Sequence, residues 1–351
     1  MIVVNDPGTW SAVYPPLLHA EWNGWTPTDT IFPFFLFIAG ASLALSIARR
    51  REAGDGRPVL LRRVVTRGAL LFVLGLALNA AAFLSLHPER FRILGVLQRI
   101  GLCLIVGGAV FLAGGARGAA ATAAVLLLGY WGLMRLVPVP GCGVGRLDPR
   151  CNLAAFVDRA VLGSHTWKPD FDPEGLLSTL PAAGTTLLGV VAGKRLRSGR
   201  SRRRRLAALA IGGIAAVVAG LLWGRVFPIN KSLWTSSYAV FMAGLATLSL
   251  VACIWLIDVK GWRAWSAPFV WLGRNAIAAF VASDVLAGAL LAIHVSSEGG
   301  RPVSLWRAIH RSVFDRFADP RLGSLLFALA YLALWIAAFG LLYRRRIFLK
   351  I

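Results

Sequence analysis

The chain has 351 residues and a formal net charge of +22, and 57% of its residues are hydrophobic while only 15% are charged. This balance excludes a soluble α/β enzyme and is typical of a polytopic membrane protein. Every span should be helical, because a helix satisfies its own backbone hydrogen bonds in lipid.

Apolar windows long enough to cross a bilayer recur along the whole chain. A spanning helix needs about 20 mostly apolar residues. The sequence therefore predicts a single all-α transmembrane domain over residues 1–351, a bundle of nine transmembrane helices. The predicted spans are 30–48, 64–86, 93–113, 117–137, 178–194, 206–223, 235–257, 268–294 and 324–343.

The positive charge is concentrated in alternate loops, which carry 22 of the 38 lysines and arginines but only three acidic residues. Positive loops remain in the cytoplasm, so the opposite loops, including that of His19 and the long loop 138–177, should lie outside. This distribution predicts contact with anionic membrane lipids and argues against a nucleic-acid partner. The basic segments are 49–63 with Arg67, 116–118, 194–205, 258–263 and 344–350.

The chain begins abruptly for a protein with this charge bias. Only MIVV precedes Asn5, which is too short to span a membrane, yet residues 5–29 should lie outside. We therefore expect MIVVN to be the outer end of a helix whose first half is missing, through a misassigned start or a truncation. Restoring that half would give ten spans.

The segment 17–40, LLHAEWNGWTPTDTIFPFFLFIAG, places His19 just before an apolar run that begins near Ile31. Histidine changes charge near neutral pH, so here it can act as a base or a nucleophile. The alternative is an ordinary histidine of a Trp-rich membrane interface. Its candidate partners in substrate binding are Glu21, Trp22, Asn23 and Asp29.

Two polar pairs lie within otherwise apolar segments. Gln98 and Arg99 enter the span at 93–113. An intramembrane Arg costs about 2.5–3.5 kcal/mol on insertion scales, so Arg99 should face the bundle interior, where a buried structural pair and an anionic ligand both remain open. Arg274 and Asn275 lie near a cytoplasmic mouth, where guanidinium geometry suits phosphate.

The outer loops carry the remaining candidates. Cys142 and Cys151 share loop 138–177, and we leave open whether they form a disulfide. The acidic residues before the next span have no recognised ligand spacing, so no metal site is predicted. Lys231 either contacts an anionic ligand or reaches lipid headgroups. The stretch 301–320 is predicted to be an interfacial helix.

Several blocks taken together resemble one family over nearly the whole chain. They are LHAEWNGWTPTDTIFPFFLFIAG, FRILGVLQRIGLC, CNLAAFVDRAVLGSH with DPEGLLSTLPA, FPINKSLWTSS, and LIDVKGW with the later GRNA. These resemble the membrane domain of heparan-α-glucosaminide N-acetyltransferase and its bacterial relatives. The resemblance implies transfer of acetyl from cytosolic acetyl-CoA to an amino sugar across the membrane.

The resemblance also implies site residues. The family's essential histidine falls on His19, and an asparagine implicated at its site falls on Asn5. The family's opening SxDxxRG-like segment has no counterpart in this chain. Since bacteria generally lack heparan sulfate, we expect the acceptor to be an amino sugar or envelope glycan outside a bacterial inner membrane, and a homodimer remains open.

These inferences define a mechanism and its rivals. His19 would act as the base or the acetyl carrier, and Asn5 would orient it or donate a hydrogen bond to the oxyanion. Gln98, Arg99, Arg274 and Asn275 would bind acetyl-CoA, and Lys231 would contact the acceptor. The main alternative is an envelope-sugar transporter or flippase that uses Asn79, Arg99 and Asp284 as a polar pathway. The third possible function is that of a non-catalytic membrane scaffold.

Overall fold

The structure, a computed structural model, describes residues 1–85, 90–296, 302–317 and 319–349. These residues form a helical bundle with two short β-hairpins, β1–β2 (Pro138–Val139 and Gly143–Val144) and β3–β4 (His294–Ser296 and Pro302–Ser304). The helices are α1 Ile2–Asn5, α2 Ile31–Glu52, α3 Arg57–Ser85, α4 Val96–Leu136, α5 Leu153–Leu162, α6 Thr179–Leu196, α7 Arg202–Gly224, α8 Ser236–Ile254, α9 Ala267–Arg274, α10 Ala276–Ala292, α11 Leu305–Phe314 and α12 Pro320–Arg344.

The prediction of a helical membrane protein is confirmed. Within the described ranges, six helical segments are long and apolar enough to cross a membrane, and the bent pair α9–α10, which turns by 75°, gives a seventh if it forms one span. The count of nine spans remains a prediction. The number of helical segments is lower than nine partly because α4, with 41 residues, covers two predicted spans. The backbone is non-helical at Gly115, between these two spans.

The centre of the bundle is formed by the close approach of α2 and α6. Gly40 lies against the backbone of Thr186, since a small residue lets two helices approach closely. A Cβ atom added to Gly189 would lie 2.0 Å from the carbonyl oxygen of Phe37, and one added to Gly193 would lie 2.5 Å from that of Ala41. Small residues therefore set the separation of these two helices, and α2 begins directly after the His19 loop.

The long loop 138–177 is folded rather than extended. Cys142 and Cys151 form a disulfide with a Cα–Cα distance of 5.5 Å, which answers the question that the sequence left open. The buried side chain of Asn152 caps α5 by accepting a hydrogen bond from the Ala155 backbone N–H, as expected of an N-cap asparagine. The loop thereby becomes a fixed wall over one end of the bundle.

The C-terminal helices pack as a second group. Helix α11 lies between α10 and α12, and α1 packs against α12. The interfacial helix predicted at 301–320 corresponds to α11, although Arg301 and Ala318 lie outside the described residues. Its Trp306 and His310 are buried, while Ile309 and Val313 are exposed. The placement of α11 at a membrane surface remains a prediction.

The α2–α6 contact gives a test of the fold. We expect Gly189→Ala to lower the free energy of unfolding by about 1–3 kcal/mol, because the added methyl group overpacks the helix interface. Gly212→Ala is the matched control, since a Cβ there has open space around it and alanine favours the helix. Thermal unfolding in detergent micelles measures both. Equal melting temperatures for the two variants would contradict the packing described.

Candidate active site

His19 and Asp29 form a hydrogen-bonded pair at the start of α2. The Nδ1 atom of His19 lies 2.7 Å from Oδ1 of Asp29. The Asp29 side chain is almost fully buried, whereas the His19 side chain is half exposed. A carboxylate accepts hydrogen bonds, so we assign the proton to Nδ1, which leaves the lone pair of Nε2 available.

The local sequence explains why Asp29 points at His19. In TPTDT, Thr26 and Asp29 form a capping box at the helical turn Pro27–Thr30. Oδ2 of Asp29 accepts hydrogen bonds from the backbone N–H groups of Ala20 and Thr26, which leaves Oδ1 for the imidazole. The buried Tyr238 hydroxyl of α8 donates to the Asp29 carbonyl oxygen. Asp29 therefore joins the His19 loop, α2 and α8.

Lys231 completes the polar group. Its Nζ atom lies 2.9 Å from Nδ1 and 3.1 Å from Nε2 of His19, and 3.4 Å from Oδ1 of Asp29. Burial lowers the pKa of the Lys231 ammonium, although Asp29 and Glu174 act in the opposite direction. The imidazole thus contacts a carboxylate that accepts its Nδ1 proton and a lysine whose Nζ atom is close to both ring nitrogens.

His19 and Lys231 line a cavity of about 590 Å³, which we call the His19 cavity. Helices α2, α3, α4 and α10 and the loops at one end of the bundle surround it. Ligand sites in proteins have volumes of about 300–1,000 Å³ and a few convergent polar groups, and this cavity has both. Its polar lining residues are Asn5, His19, Glu21, Asn79, Arg92, Gln98, Lys168, Glu174, Lys231, Ser232 and Asp284.

One wall of the His19 cavity contains an ion-pair cluster that the sequence did not reveal. Arg92 contacts the carboxylates of Asp172 and Glu174, both of which are buried. Burial opposes ionisation of Glu174, but Arg92 outweighs it and keeps the pKa of Glu174 below its ordinary value. Two of the acidic residues that precede α6 are therefore buried and paired.

The predicted substrate-binding residues divide into two groups. Glu21 and Lys231 line the cavity, as does Asn5. Trp22 and Asn23 fix loops instead, because the Trp22 indole donates to the Leu147 carbonyl and the Asn23 side-chain oxygen accepts from Asn230. Asp29 lies behind His19 and contacts the imidazole.

The predicted cofactor-binding residues are not brought together. Gln98 lines the His19 cavity. Arg99 is buried as expected, but it donates to the Gly175 carbonyl and the Ser178 hydroxyl and lies 5.3 Å from the centroid of the Trp234 ring.

The second predicted cofactor pair lies elsewhere. Arg274 lies over Phe348, and the side chain of Asn275 binds the backbone of Ile347 and Leu349. Neither Arg274 nor Asn275 lines a cavity described here. Of the residues proposed for a transport pathway, Asn79 and Asp284 line the His19 cavity and Arg99 does not.

A second cavity, of about 480 Å³, continues toward the opposite end of the bundle. It is mostly apolar, and three arginines, Arg50, Arg63 and Arg67, line it, so we call it the arginine cavity. Arg50 and Arg63 lie 3.5 and 3.8 Å from Asp55. The two cavities share the lining residues Met1, Phe32, Val96, Leu97 and Phe280. From Phe32 to Arg50 along α2 is about 27 Å, at 1.5 Å per residue.

These features define a helical membrane protein with a histidine–carboxylate site at one end of its bundle. The family model described as "Heparan-alpha-glucosaminide N-acetyltransferase, catalytic" matches residues 12–226, a segment that includes His19 and Asp29 and ends before Lys231. The chain belongs to this family.

Two relatives named heparan-alpha-glucosaminide N-acetyltransferase are similar to most of the chain. The protein from Homo sapiens is 29% identical over 341 residues, which cover 81% of this chain and 50% of the relative. The protein from Mus musculus is 30% identical over 341 residues, with 82% and 51% covered. The chain thus spans about half the length of the relatives it matches.

Asp158 of α5 supports the loop that carries Asp172 and Glu174. Its Oδ1 atom accepts a hydrogen bond from the Leu176 backbone N–H, and a Cβ atom added to Gly175 would overlap its carboxyl group. Burial raises the pKa of Asp158 to about 7. The folded state therefore favours the protonated carboxyl, and this contribution to stability is lost as the pH rises through about 7.

This shift gives a pH-dependent prediction. We expect Asp158→Asn to reduce the fall in melting temperature between pH 5 and pH 8, because the amide cannot ionise. Asp170→Asn is the control, since Asp170 is partly exposed and pairs with Arg150 at the surface. Unfolding scans across this pH range measure the effect. The assignment is wrong if the Asp158 variant and the wild type lose stability in parallel.

Proposed function

We propose that this protein is a transmembrane acetyltransferase that moves acetyl from cytosolic acetyl-CoA to the amine of a sugar or envelope glycan on the other side of the membrane. One observation carries the proposal. His19, which is paired with Asp29, lines a cavity that adjoins a second cavity lined by three arginines near the opposite end of α2. Membership of the family supports the reaction type.

The arginine cavity fits the chemistry of acetyl-CoA. Guanidinium groups bind phosphate oxygens through paired hydrogen bonds, so Arg50, Arg63 and Arg67 would hold the nucleotide end. The apolar lining between these arginines and Phe32 suits a pantetheine arm. The bound donor would supply a thioester-activated acetyl group near His19. These three residues replace Arg99, Arg274 and Asn275 as the proposed donor-binding residues.

His19 would be the base of the reaction. Because Asp29 holds the proton on Nδ1, Nε2 can accept a proton from the acceptor amine as its nitrogen forms a bond to the acetyl carbon and the carbon–sulfur bond breaks. Asp29 also stabilises the imidazolium that results, as the carboxylate of a catalytic triad does. If His19 carries the acetyl group instead, the same nitrogen forms the covalent bond.

Lys231 would stabilise the oxyanion that develops during acetyl transfer. A cation beside the reacting centre stabilises an oxyanion strongly where water is excluded, and Lys231 lies within 3.1 Å of both imidazole nitrogens. Asn5 and Glu21, which also line the cavity, would contact the acceptor.

The proposed orientation follows from the charge distribution. The arginine cavity opens among the basic loops that the positive-inside rule assigns to the cytoplasm, where acetyl-CoA is available. The disulfide of loop 138–177 supports an oxidising compartment for the other face. We therefore place the protein in a bacterial inner membrane with the His19 loop on the periplasmic side.

The first test removes the base. We expect His19→Ala to reduce acetyl transfer from acetyl-CoA to glucosamine by about 10²–10⁴-fold, the usual contribution of a general base. The affinity for acetyl-CoA, measured by calorimetry, should be preserved. His294→Ala is the matched control, because His294 is exposed on β3 and should leave transfer unchanged.

The same preparations distinguish two routes. Labelled acetyl that remains on the wild-type protein and is absent from His19→Ala would support a covalent intermediate, and its absence from both would support direct transfer. Full transfer by His19→Ala would rule out both roles for this residue. Failure of the wild type to bind acetyl-CoA would instead favour a transporter.

The second test concerns the donor. We expect Arg63→Gln combined with Arg67→Gln to raise the KM for acetyl-CoA by at least tenfold with little change in kcat, since these residues would bind the donor far from the reacting atoms. Arg57→Gln combined with Arg62→Gln is the matched control on the same helix, because neither residue lines the arginine cavity. Equal KM values for the two double variants would contradict this donor site.

A further inference from the structure

Asp284 of α10 is an acidic residue that the proposed acetyl transfer has not used. It belongs to the bent pair α9–α10, which is apolar enough to cross a membrane as one span. Its side chain lines the His19 cavity. A carboxylate at membrane depth is costly, and such residues typically face a polar cavity and bind a substrate or an ion. The position of Asp284 therefore calls for a positively charged partner.

The cations of the His19 cavity are already engaged within the chain. Arg92 forms ion pairs with two buried carboxylates of the loop before α6. The Nζ atom of Lys231 lies 3.4 Å from Oδ1 of Asp29. The Lys168 ammonium lies over the Trp167 ring, 4.5 Å from its centroid. None of these three cations pairs with the carboxylate on α10.

Asp284 itself has no partner of this kind. In the part of the chain that the structure describes, its carboxylate forms neither an ion pair nor a side-chain hydrogen bond. Glu21 is a second carboxylate of the cavity without an ion pair there, but it lies in the exposed loop before α2, where water solvates it. Asp284 is thus the uncompensated negative charge on the helical walls of this cavity.

The neighbouring Asp6 responds to this charge. Burial raises the pKa of Asp6 to about 7, and the charge of Asp284 acts in the same direction, although the Met1 amine opposes both. Two carboxylates near each other disfavour each other's ionisation. Asp6 follows Asn5, which lines the His19 cavity. A cation bound at Asp284 would relieve the repulsion, so this side of the cavity favours positive charge.

Asp284 is held at a defined depth in the bundle. The Tyr331 hydroxyl of α12 donates to the Ser283 carbonyl at 2.7 Å, and the Ser283 hydroxyl donates to the Phe280 carbonyl. Phe280 lines both cavities, and the turn of α10 before it lines the arginine cavity. Asp284, four residues later on the same face, therefore lies about 6 Å beyond the junction of the two cavities, on the side away from the arginines.

We infer that Asp284 binds the ammonium group of the acceptor and so selects an amine over a neutral hydroxyl group. His19 precedes Phe32, the residue of α2 that lines both cavities, so His19 and Asp284 lie on the same side of the junction. An amino sugar is largely an ammonium ion at and below neutral pH, and a carboxylate binds such a group through charge-assisted hydrogen bonds. This inference rests on the proposed function and extends it, because it assigns the residue that recognises the reacting nitrogen.

The ammonium group must lose a proton before its nitrogen can attack the acetyl carbon. The Asp284 carboxylate accepts this first proton and releases it to solvent. As the nitrogen–carbon bond forms and the carbon–sulfur bond breaks, the second proton passes from the nitrogen to Nε2 of His19, which delivers it to the sulfur. The products are one amide, one thiol and one free proton, so atoms and charge balance.

The experiment uses two analogues of glucosamine that form no amide. N,N-dimethylglucosamine keeps the positive charge, whereas glucose has a neutral hydroxyl group in place of the amine. Each is measured as a competitive inhibitor of acetyl transfer to glucosamine. Asp284→Asn removes the charge with little change of shape, and Asp284→Glu retains it. Asp148→Asn is the matched control, because Asp148 is exposed, pairs with Arg146 and does not line the cavity.

We expect the wild type, Asp284→Glu and the control to bind the cationic analogue at least about tenfold more tightly than glucose, the usual effect of a hydrogen bond to a charged group. Asp284→Asn should lose this preference and raise the KM for glucosamine by a similar factor. Its melting temperature and its KM for acetyl-CoA should remain those of the wild type. Rescue by glutamate, which a merely structural role does not require, identifies the charge as the cause.

Three outcomes decide against the inference or separate it from the proposed function. A preference for the cation that persists in Asp284→Asn, or that is absent from the wild type, overturns the inference. If Asp284→Asn does not fold, Asp284→Ser takes its place in the same comparison. If the wild type transfers no acetyl to glucosamine, the proposed function fails. Calorimetric binding of the two analogues then decides the inference alone, since equal binding by the wild type overturns it and a preference that depends on Asp284 supports it.

Discussion

The buried carboxylate of Asp29 is the constraint on which the functional end of the molecule depends. One oxygen accepts the backbone N–H groups of Ala20 and Thr26, and the other accepts the His19 imidazole. A buried carboxylate is stable only when its hydrogen-bonding capacity is used. The loop 19–29 therefore cannot relax without leaving the buried Asp29 carboxylate short of hydrogen bonds. The orientation of His19 follows from the folding of this loop.

Around this centre, the bundle encloses two cavities that share five lining residues. The glycine contacts between α2 and α6 bring backbones together, so the larger spaces lie on the other side of α2, toward α3, α4 and α10. Arginines line one cavity and His19 lines the other. The proposed reaction, between partners from opposite sides of a membrane, would use the arginines of one cavity to bind the donor and His19 of the other to accept a proton.

Sequence reasoning identified what local chemistry determines. The polar and aromatic segment around His19 is recognisable as a short pattern, and the interior position of Arg99 follows from the cost of burying a charge. The contact of Lys231 with His19 joins residues 212 positions apart and depends on tertiary packing. Arg50, Arg63 and Arg67 looked like topology signals because strongly apolar helices do not reveal which face points inward.

The wall formed by loop 138–177 has anchors of its own besides one contact with the His19 loop. The disulfide and the Asn152 cap hold it from within, and Trp22 attaches it at Leu147. Changes in this loop can therefore alter the shape of the cavity without moving the imidazole. Such a division allows the cavity wall to vary between descendants of one ancestor while the imidazole and its carboxylate partner keep their positions.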